Sequence, residues 1–141
     1  MKTLKSIALG LVILLSFGAA KAADKVERLS KTFAISTYID AMSHGKLQGL
    51  NDVLDATAKF SMLRGTQVTS FGKAEMLGFV KENKDIEQTC TVSTTEMETN
   101  NDISVVKVDM KYNGFTRSNY VTVANTGAGW KITNVYTVFS N

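Results

Sequence analysis

The apolar residues in the first third of the chain recur at the spacing of an α-helix. One set is separated by three or four positions, so its side chains share a helical face: Ile35, Tyr38, Ile39 and Met42. Gly45 follows this set directly, and glycine is the common residue at the left-handed position that ends a helix. The pattern predicts a long helix over residues 24–44, and similar spacing predicts shorter helices over 46–54 and 73–82.

The second half of the chain alternates between apolar and polar positions. Val106, Val108 and Met110 are separated by charged residues, which predicts a strand with one buried face. Asn113-Gly114 favours a tight hairpin, because both residues tolerate positive φ. Strands are predicted near residues 57–63, 67–71, 87–97, 103–112, 115–125 and 129–139. Helices followed by consecutive strands indicate an α+β domain, with the helices on one face of an antiparallel sheet.

A cleavable secretion signal is predicted for residues 1–22. A short basic start precedes an apolar run at 7–17, and Ala20 and Ala22 place small residues where a signal peptidase cleaves. The apolar run is shorter than the roughly 20 residues that span a bilayer. We therefore expect a single domain over residues 23–141, periplasmic or secreted, without membrane contact after cleavage.

The charge balance changes once this signal is removed. The whole chain has 16 Lys and Arg against 13 Asp and Glu. Three of the lysines and none of the acids lie in residues 1–22, so the remaining domain has a formal charge of zero. A neutral domain without a basic cluster is not expected to bind nucleic acid.

Histidine and cysteine are too scarce for most site chemistry. His44 is the only histidine in the chain and Cys90 the only cysteine. A single cysteine forms no internal disulfide, and no residues have metal-ligand spacing. We expect neither a metal nor another cofactor. Cys90 is interpreted as a small buried hydrophobe, with a thiol that links two chains as the alternative.

Two segments, together with the order of elements, carry a family resemblance. They are YIDAMSHGKLQGLNDVLDATAKF at 38–60 and GWKITNVYT at 129–137. The chain resembles the nuclear transport factor 2-like superfamily, and within it the exported bacterial lumazine-binding proteins. It is also similar to the SnoaL-like and ketosteroid isomerase groups. The resemblance implies a cone, in which a curved antiparallel sheet wraps around the long N-terminal helix, a cavity for a lumazine-like heterocycle, and a homodimer.

Comparison with the isomerase pattern indicates that catalysis is lost. Tyr38 matches the tyrosine of the isomerase oxyanion hole, and Asn119 falls near its second, acidic donor. Met62 stands where the isomerase has its catalytic aspartate, and a thioether cannot accept a proton from carbon. The resemblance thus implies two hydrogen-bond donors without a base. No catalytic residue is predicted, and binding is favoured over catalysis.

The predicted pocket combines this resemblance with strand phase. Its lining is predicted to be Tyr38, Phe60, Met62, Met110, Asn119, Val121 and Tyr136. Arg117 and Asn134 are assigned to the pocket mouth, where Arg117 either meets an anionic ligand or remains solvated. Asn134 and Tyr136 are included because they share a strand phase with Ile132.

We therefore expect an exported, non-catalytic domain that binds a small organic ligand. The alternatives are an isomerase or dehydratase that uses another carboxylate, and an assembly domain that dimerises through its sheet. A cavity of roughly 300 Å³ or more favours binding. A cavity plugged by Trp130 and the methionines favours assembly, and a buried carboxylate that reaches the cavity favours catalysis.

Overall fold

The principal helix, α1 (Lys31–His44), begins at a side-chain cap and ends at a glycine. In this computed structural model, which describes residues 25–141, the Ser30 hydroxyl accepts a 3.0 Å hydrogen bond from the backbone N–H of Phe33. Such a cap stabilises a helix by about 1 kcal/mol. Gly45 adopts the expected left-handed conformation, with φ of 64°. The predicted secretion signal at residues 1–22 lies outside the described residues.

The predicted helix over 24–44 is interrupted near its start. Residues 25–28 are helical, and the chain then turns at Leu29 and Ser30 before α1 begins. The periodic pattern did not reveal this break, because apolar residues before Ser30 continue the same spacing. The Ser30 side chain, which competes for backbone hydrogen bonds, favours a new helix start at this position.

The remaining elements follow the predicted order. They are α2 (Leu50–Val53), β1 (Leu54–Arg64), β2 (Gln67–Gly72), α3 (Lys73–Glu82), β3 (Thr91–Thr99), β4 (Ile103–Lys111), β5 (Thr116–Thr126) and β6 (Gly129–Ser140). Several boundaries differ from the prediction. β1 begins at Leu54 instead of residue 57, and β3 begins at Thr91 instead of residue 87. The helix expected over 46–54 is only four residues long, because it starts after Gly49, which has a positive φ of 80°, and Leu54 already belongs to β1.

The strands form one six-stranded sheet in the order β2-β1-β6-β5-β4-β3. Neighbouring strands are antiparallel except for β1 and β6, which are parallel. β4 and β5 pair in antiparallel register, with Val108 opposite Asn119, as the Asn113-Gly114 hairpin predicts. The α+β fold is confirmed. The sheet departs from the purely antiparallel prediction at the junction of β1 with β6.

One face of the sheet packs against α1 and forms the core. β4 alternates strictly, with Val106, Val108 and Met110 buried on this inner face. Ala34 and Tyr38 on α1 are fully buried against the sheet. Because α1 contains several β-branched residues of moderate helix propensity, this burial stabilises the helix more than its own sequence does.

A β-bulge in β6 reverses the strand phase on which part of the pocket prediction rested. Thr122 pairs with Asn134, whereas Val123 pairs with Ile132, so one extra residue lies between them on β6. After the bulge, Val135 is buried on the inner face. The assignment of Asn134 and Tyr136 to the pocket is therefore wrong. Both lie on the outer face of the sheet, and the Tyr136 side chain is 36% exposed.

The segment over residues 83–90 lies against the end of α1. The backbone N–H of Asp85 donates to the Gly45 carbonyl over 3.1 Å, and that of Gln88 donates to the Ser43 carbonyl over 2.8 Å. A Cβ on Gly45 would lie 2.7 Å from the Asp85 nitrogen, well inside contact distance. Two features therefore require glycine at position 45: its positive φ and the close approach of the 83–90 backbone.

Within residues 25–141, no helix has the length and apolar character needed to cross a bilayer. The longest of the named helices, α1, has 14 residues.

We expect Gly45→Ala to lower the free energy of unfolding by at least about 2 kcal/mol, since backbone strain alone costs roughly 1–3 kcal/mol and a steric clash adds to it. Gly65→Ala is the matched control, because Gly65 also has positive φ (61°) but nothing lies within 4 Å of a Cβ there. Urea unfolding of both variants measures the difference. Equal losses would show that the 83–90 segment does not pack tightly on Gly45.

Candidate functional site

The interior of the cone contains a polar cluster centred on the Asn119 amide. Its Oδ1 accepts hydrogen bonds from the Thr137 hydroxyl (2.8 Å), the Arg117 Nε (3.1 Å) and the Tyr38 hydroxyl (3.3 Å). Its Nδ2 donates to the Val108 carbonyl over 3.2 Å. Asn119 is fully buried, and these hydrogen bonds offset the free-energy cost of removing its amide from water.

Tyr38 is the aromatic member of this cluster. Burial raises its pKa from 10.0 to about 12, and the positive charge of Arg117 acts in the opposite direction with a smaller effect. The phenol therefore remains protonated at neutral pH and is available only as a neutral donor.

The structure brings Tyr38 and Asn119 together, as the isomerase resemblance implies, but in a different relation. The two side chains face each other, and the Tyr38 proton is donated to the Asn119 oxygen. An oxyanion hole requires both donors to point at a third, empty position. Within residues 25–141, no buried side-chain polar atom lacks a partner. The cluster is thus a satisfied structural network.

The predicted apolar lining fills the interior around this network. Phe60, Met110 and Val121 are almost fully buried on the inner face. Met62 lies on the same face nearer the end of β1 and is only half-buried, although its strand phase had suggested burial. The depressions of about 330 to 510 Å³ found in residues 25–141 are lined by other residues than these.

A small pocket of about 60 Å³ lies at the end of the cone where α1 stops, here called the Gly45 end. It is enclosed by the last turn of α1, by α3, by the 83–90 segment and by the ends of two strands: Ala41, Met42, Gly45, Phe79, Val80, Asn83, Ile86, Gln88, Tyr112 and Arg117. Among the predicted site residues, Arg117 alone lines it.

Arg117 connects this pocket to the interior cluster. Its side chain is half-buried, and its Nε is held by the Asn119 oxygen. The ion pairs found in residues 25–141 are Lys31–Glu96, His44–Glu87 and Lys107–Asp109, so Arg117 has no carboxylate partner there. The guanidinium charge is therefore uncompensated by an ion pair at the pocket.

Next to Arg117 lies a group of aromatic side chains that the sequence analysis did not assign to the site. The Tyr112 and Phe115 rings stack at 4.7 Å, and Phe139 lies 6.4 Å from Phe115. We call these three residues the aromatic rim. Phe139 is directly opposite Arg117 in the β5–β6 register. Phe115 shares a strand phase with Arg117 and was detectable from sequence, whereas the position of Phe139 depends on the β6 bulge.

None of the residues that line the pocket at the Gly45 end is Asp, Glu or His. No Asp or Glu side chain is buried anywhere in residues 25–141. His44 lies near the surface, with Nδ1 2.5 Å from a Glu87 carboxylate oxygen. No group of three or more His, Cys, Asp or Glu able to hold a metal occurs in the part of the chain that the structure describes.

A larger groove of about 510 Å³ lies on the outer side of α1 and contains none of the predicted site residues. Its lining carries both signs of charge: Arg28, Lys46, Glu27, Asp40 and Asp52. Trp130 also lies far from the Gly45 end, since its backbone N–H donates to Leu29 before the start of α1. Neither feature contributes to the pocket beside Arg117.

The raised pKa of Tyr38 predicts a specific pH dependence of stability. The pKa of the phenol is near 10 in the unfolded chain and near 12 in the folded protein. Its contribution to the free energy of unfolding, about 2–3 kcal/mol, is therefore complete below pH 10 and is lost as the pH rises toward 12. We expect Tyr38→Phe to remove this part of the decrease in unfolding free energy at high pH. At pH 8 the variant should be less stable by about 1 kcal/mol, because it lacks the hydrogen bond. Urea unfolding from pH 8 to 12 measures both effects, with the outer-face variant Tyr136→Phe as the control. An alkaline slope equal to that of the unmodified protein would contradict the burial of the Tyr38 hydroxyl.

Comparison with solved structures shows how this fold is shared. An NTF2-like protein of unknown function from Silicibacter pomeroyi has a TM-score of 0.62 at 17% identity, covering 84% of this chain and 97% of that one. One from Shewanella baltica has a TM-score of 0.67 at 7% identity, covering 84% and 96%. An NTF2-like protein from Cytophaga hutchinsonii has a TM-score of 0.60 at 14% identity, covering 76% and 93%. At these identities the likeness shows the fold.

Sequence comparison adds the family. No curated protein matches the chain. The family described as "Putative lumazine-binding" matches residues 26–138, which includes every element from α1 to the greater part of β6. Because the fold is NTF2-like and the match extends over nearly all described residues, the chain belongs to this family of the NTF2-like superfamily.

Proposed function

We propose that this protein binds a small organic molecule at the Gly45 end of the cone and does not transform it. The family description and the NTF2-like fold support a small-molecule-binding role. The observation that carries the proposal is Arg117, a half-buried guanidinium that lines the pocket without a carboxylate partner in residues 25–141. A ligand acceptor group placed there satisfies a charge that the protein itself leaves unpaired.

The energetics favour a ligand with an acceptor group at this position. Partial burial of a cation is unfavourable unless hydrogen-bonded groups compensate for it. Arg117 obtains one such bond from Asn119, through Nε, and the two terminal nitrogens of a guanidinium remain as donors. A hydrogen bond that involves a charged group contributes about 1.5–3 kcal/mol, about twice a neutral one. The Arg117–Asn119 bond also orients the guanidinium before a ligand arrives.

The size of the pocket indicates how much of the ligand enters it. A volume of about 60 Å³ is far below the 300–1,000 Å³ of sites that enclose whole ligands. The pocket accepts one polar group, and the body of the ligand lies outside it, against the end of the sheet.

The absence of catalysis is part of the proposal. Proton abstraction from carbon needs a base within hydrogen-bond reach, and Met62 occupies the position where the related isomerases have one. Asn119, in place of an acid, accepts the Tyr38 proton and donates to a main-chain carbonyl. These two substitutions together support binding over isomerisation.

A second candidate function is assembly through the outer face of the sheet. Side chains such as Met110 fill the interior. A filled cavity is the feature that favours an assembly domain over a binding domain. The outer face carries Tyr120 and Tyr136 directly opposite each other, and the ammonium of Lys107 lies 5.9 Å from the Tyr120 ring centroid. Aromatic residues of this kind are enriched at protein interfaces. We propose a homodimer through this face, and export directed by residues 1–22.

Native mass spectrometry of protein purified from its exporting host tests binding and assembly together. We expect the unmodified protein to retain a small ligand, and the fraction of protein that carries it to be at least tenfold lower in Arg117→Gln. Arg28→Gln is the matched control, because Arg28 lies on the outer side of α1. Retention of the ligand by Arg117→Gln, or its loss from the control alone, would place binding elsewhere. The same spectra report whether two copies remain associated.

Met62→Asp restores the base that the isomerases have, and we expect no appreciable isomerase turnover from it. The Tyr38 hydroxyl donates to the Asn119 oxygen and the Asn119 Nδ2 donates to the Val108 carbonyl, so neither donor is free for a substrate oxygen. Because Met62 is half-buried and its sulfur lies 3.4 Å from the Arg64 Nε, the new carboxylate has a partner and the expected loss of stability is about 1 kcal/mol. A dienone-formation assay and thermal unfolding of the variant measure both quantities, with Met62→Asn as the uncharged control. Clear turnover would return the protein to the isomerase class.

A further inference from the structure

We propose that the ligand is a flat aromatic carboxylate, whose carboxylate binds Arg117 and whose ring lies on the aromatic rim between Arg117 and Arg64. The inference rests on the proposed binding at Arg117 and names the chemical class that this site recognises. It depends on two features of the Gly45 end that the binding proposal did not use: exposed aromatic rings and a second unpaired arginine.

The aromatic rim is unusually exposed for a set of packed rings. Phe115 and Phe139 are 40% and 37% exposed, although Phe115 packs against both Phe139 and Tyr112. With Leu63 and Gly65 they line an open depression of about 400 Å³. A contiguous apolar surface of this kind beside a polar pocket is typical of a binding site. Flat ring faces favour an aromatic ligand, which stacks on them.

Two arginines lie on either side of Phe139. The Arg64 guanidinium carbon is 5.3 Å from the Phe139 ring centroid, and Arg117 is the register partner of Phe139 on β5. Arg64, like Arg117, has no carboxylate partner among the ion pairs of residues 25–141. Its recorded side-chain partner is the weakly accepting sulfur of Met62. The surface is therefore apolar in the middle and positive at both sides, which is complementary to a flat anion.

The shape of the guanidinium and the size of the pocket favour a carboxylate as the group that enters the pocket. A planar guanidinium binds a carboxylate through two parallel hydrogen bonds, and a carboxylate is small enough for a pocket of about 60 Å³. An aromatic ring does not fit that pocket and remains on the rim, where Arg64 contributes a cation–π contact to its outer face.

A second copy of this chain is a poorer occupant of the same surface. In a two-fold symmetric dimer each patch meets itself, so Arg64 and Arg117 would face the corresponding arginines of the other copy. With no acidic side chain in the lining of either depression, this contact would bring like charges together. The charge of the surface therefore favours an anionic small molecule.

Isothermal titration with three probes of matched size tests the inference. They are 2-naphthoate, its neutral amide 2-naphthamide, and the saturated decalin-2-carboxylate. We expect 2-naphthoate to bind at least tenfold more tightly than either of the others, because only it has both the charge and the flat ring. Added salt should weaken its binding in particular.

Variants identify the surface that holds the ring. Phe139→Leu and Arg64→Gln are each expected to weaken 2-naphthoate binding by three- to tenfold. Trp130→Leu is the control for the aromatic change, since Trp130 is a half-buried aromatic residue that lies far from the Gly45 end. Thermal unfolding of each variant confirms that it remains folded before its affinity is compared.

Each outcome supports or overturns the inference. Equal binding of 2-naphthamide removes the carboxylate from the proposal, and equal binding of decalin-2-carboxylate removes the aromatic ring. The absence of 2-naphthoate binding up to about 1 mM overturns the whole inference. If 2-naphthoate does not bind but the mass spectrum of the native protein shows a retained ligand, the proposed binding function stands and only the proposed chemical class of the ligand is wrong. If sedimentation shows that Phe139→Leu dissociates a dimer, the rim is a self-association surface.

Discussion

The structure depends on the side-chain amide of Asn119, which joins four elements inside the cone. Its oxygen accepts from Tyr38 on α1, from Thr137 on β6 and from Arg117 on β5, while its nitrogen donates to the main chain of β4. Leaving the buried Tyr38 hydroxyl without a partner would cost about 1–3 kcal/mol, so α1 is held where this hydroxyl reaches the amide. The apolar surfaces that pack α1 on the sheet are less directional. The amide network therefore selects one position of the helix among many that bury similar area.

This network also bears on the proposed binding site. The isomerase pattern that the sequence resembles implies a tyrosine and an acid that point at a substrate oxygen, whereas here the Tyr38 hydroxyl donates to the Asn119 oxygen. Phe60 and Met110 are almost fully buried in the same core. Arg117 is the member of the cluster that also lines an open pocket. The interior thus serves as a rigid support for Arg117, and the proposed recognition site lies at the Gly45 end, where the 83–90 segment and the aromatic rim provide the walls.

The extra residue in β6 has consequences for both faces of the sheet. It places Thr137 on the inner face, where its hydroxyl reaches Asn119, and it places Phe139 beside Arg117. The same shift carries Tyr136 to the outer face, opposite Tyr120. Because the side-chain period of a strand is two residues, one inserted residue exchanges the two faces for the remainder of the strand. The inner network and the outer aromatic pair therefore both depend on this bulge.

The sequence by itself determined the elements that local spacing and turn chemistry encode. These include α1 with its Gly45 cap, the β4–β5 hairpin, the strict alternation of β4 and the α+β class. It also indicated the proximity of Tyr38 and Asn119 and the absence of a base at Met62, through family resemblance. Tertiary structure alone decided three things: the β6 bulge, the parallel pairing of β1 with β6, and the partners of the Arg117 and Arg64 charges. Each of these depends on residues distant in the chain, since bulges and pairings satisfy backbone groups of neighbouring strands, and a charge is paired or unpaired only by what folds beside it.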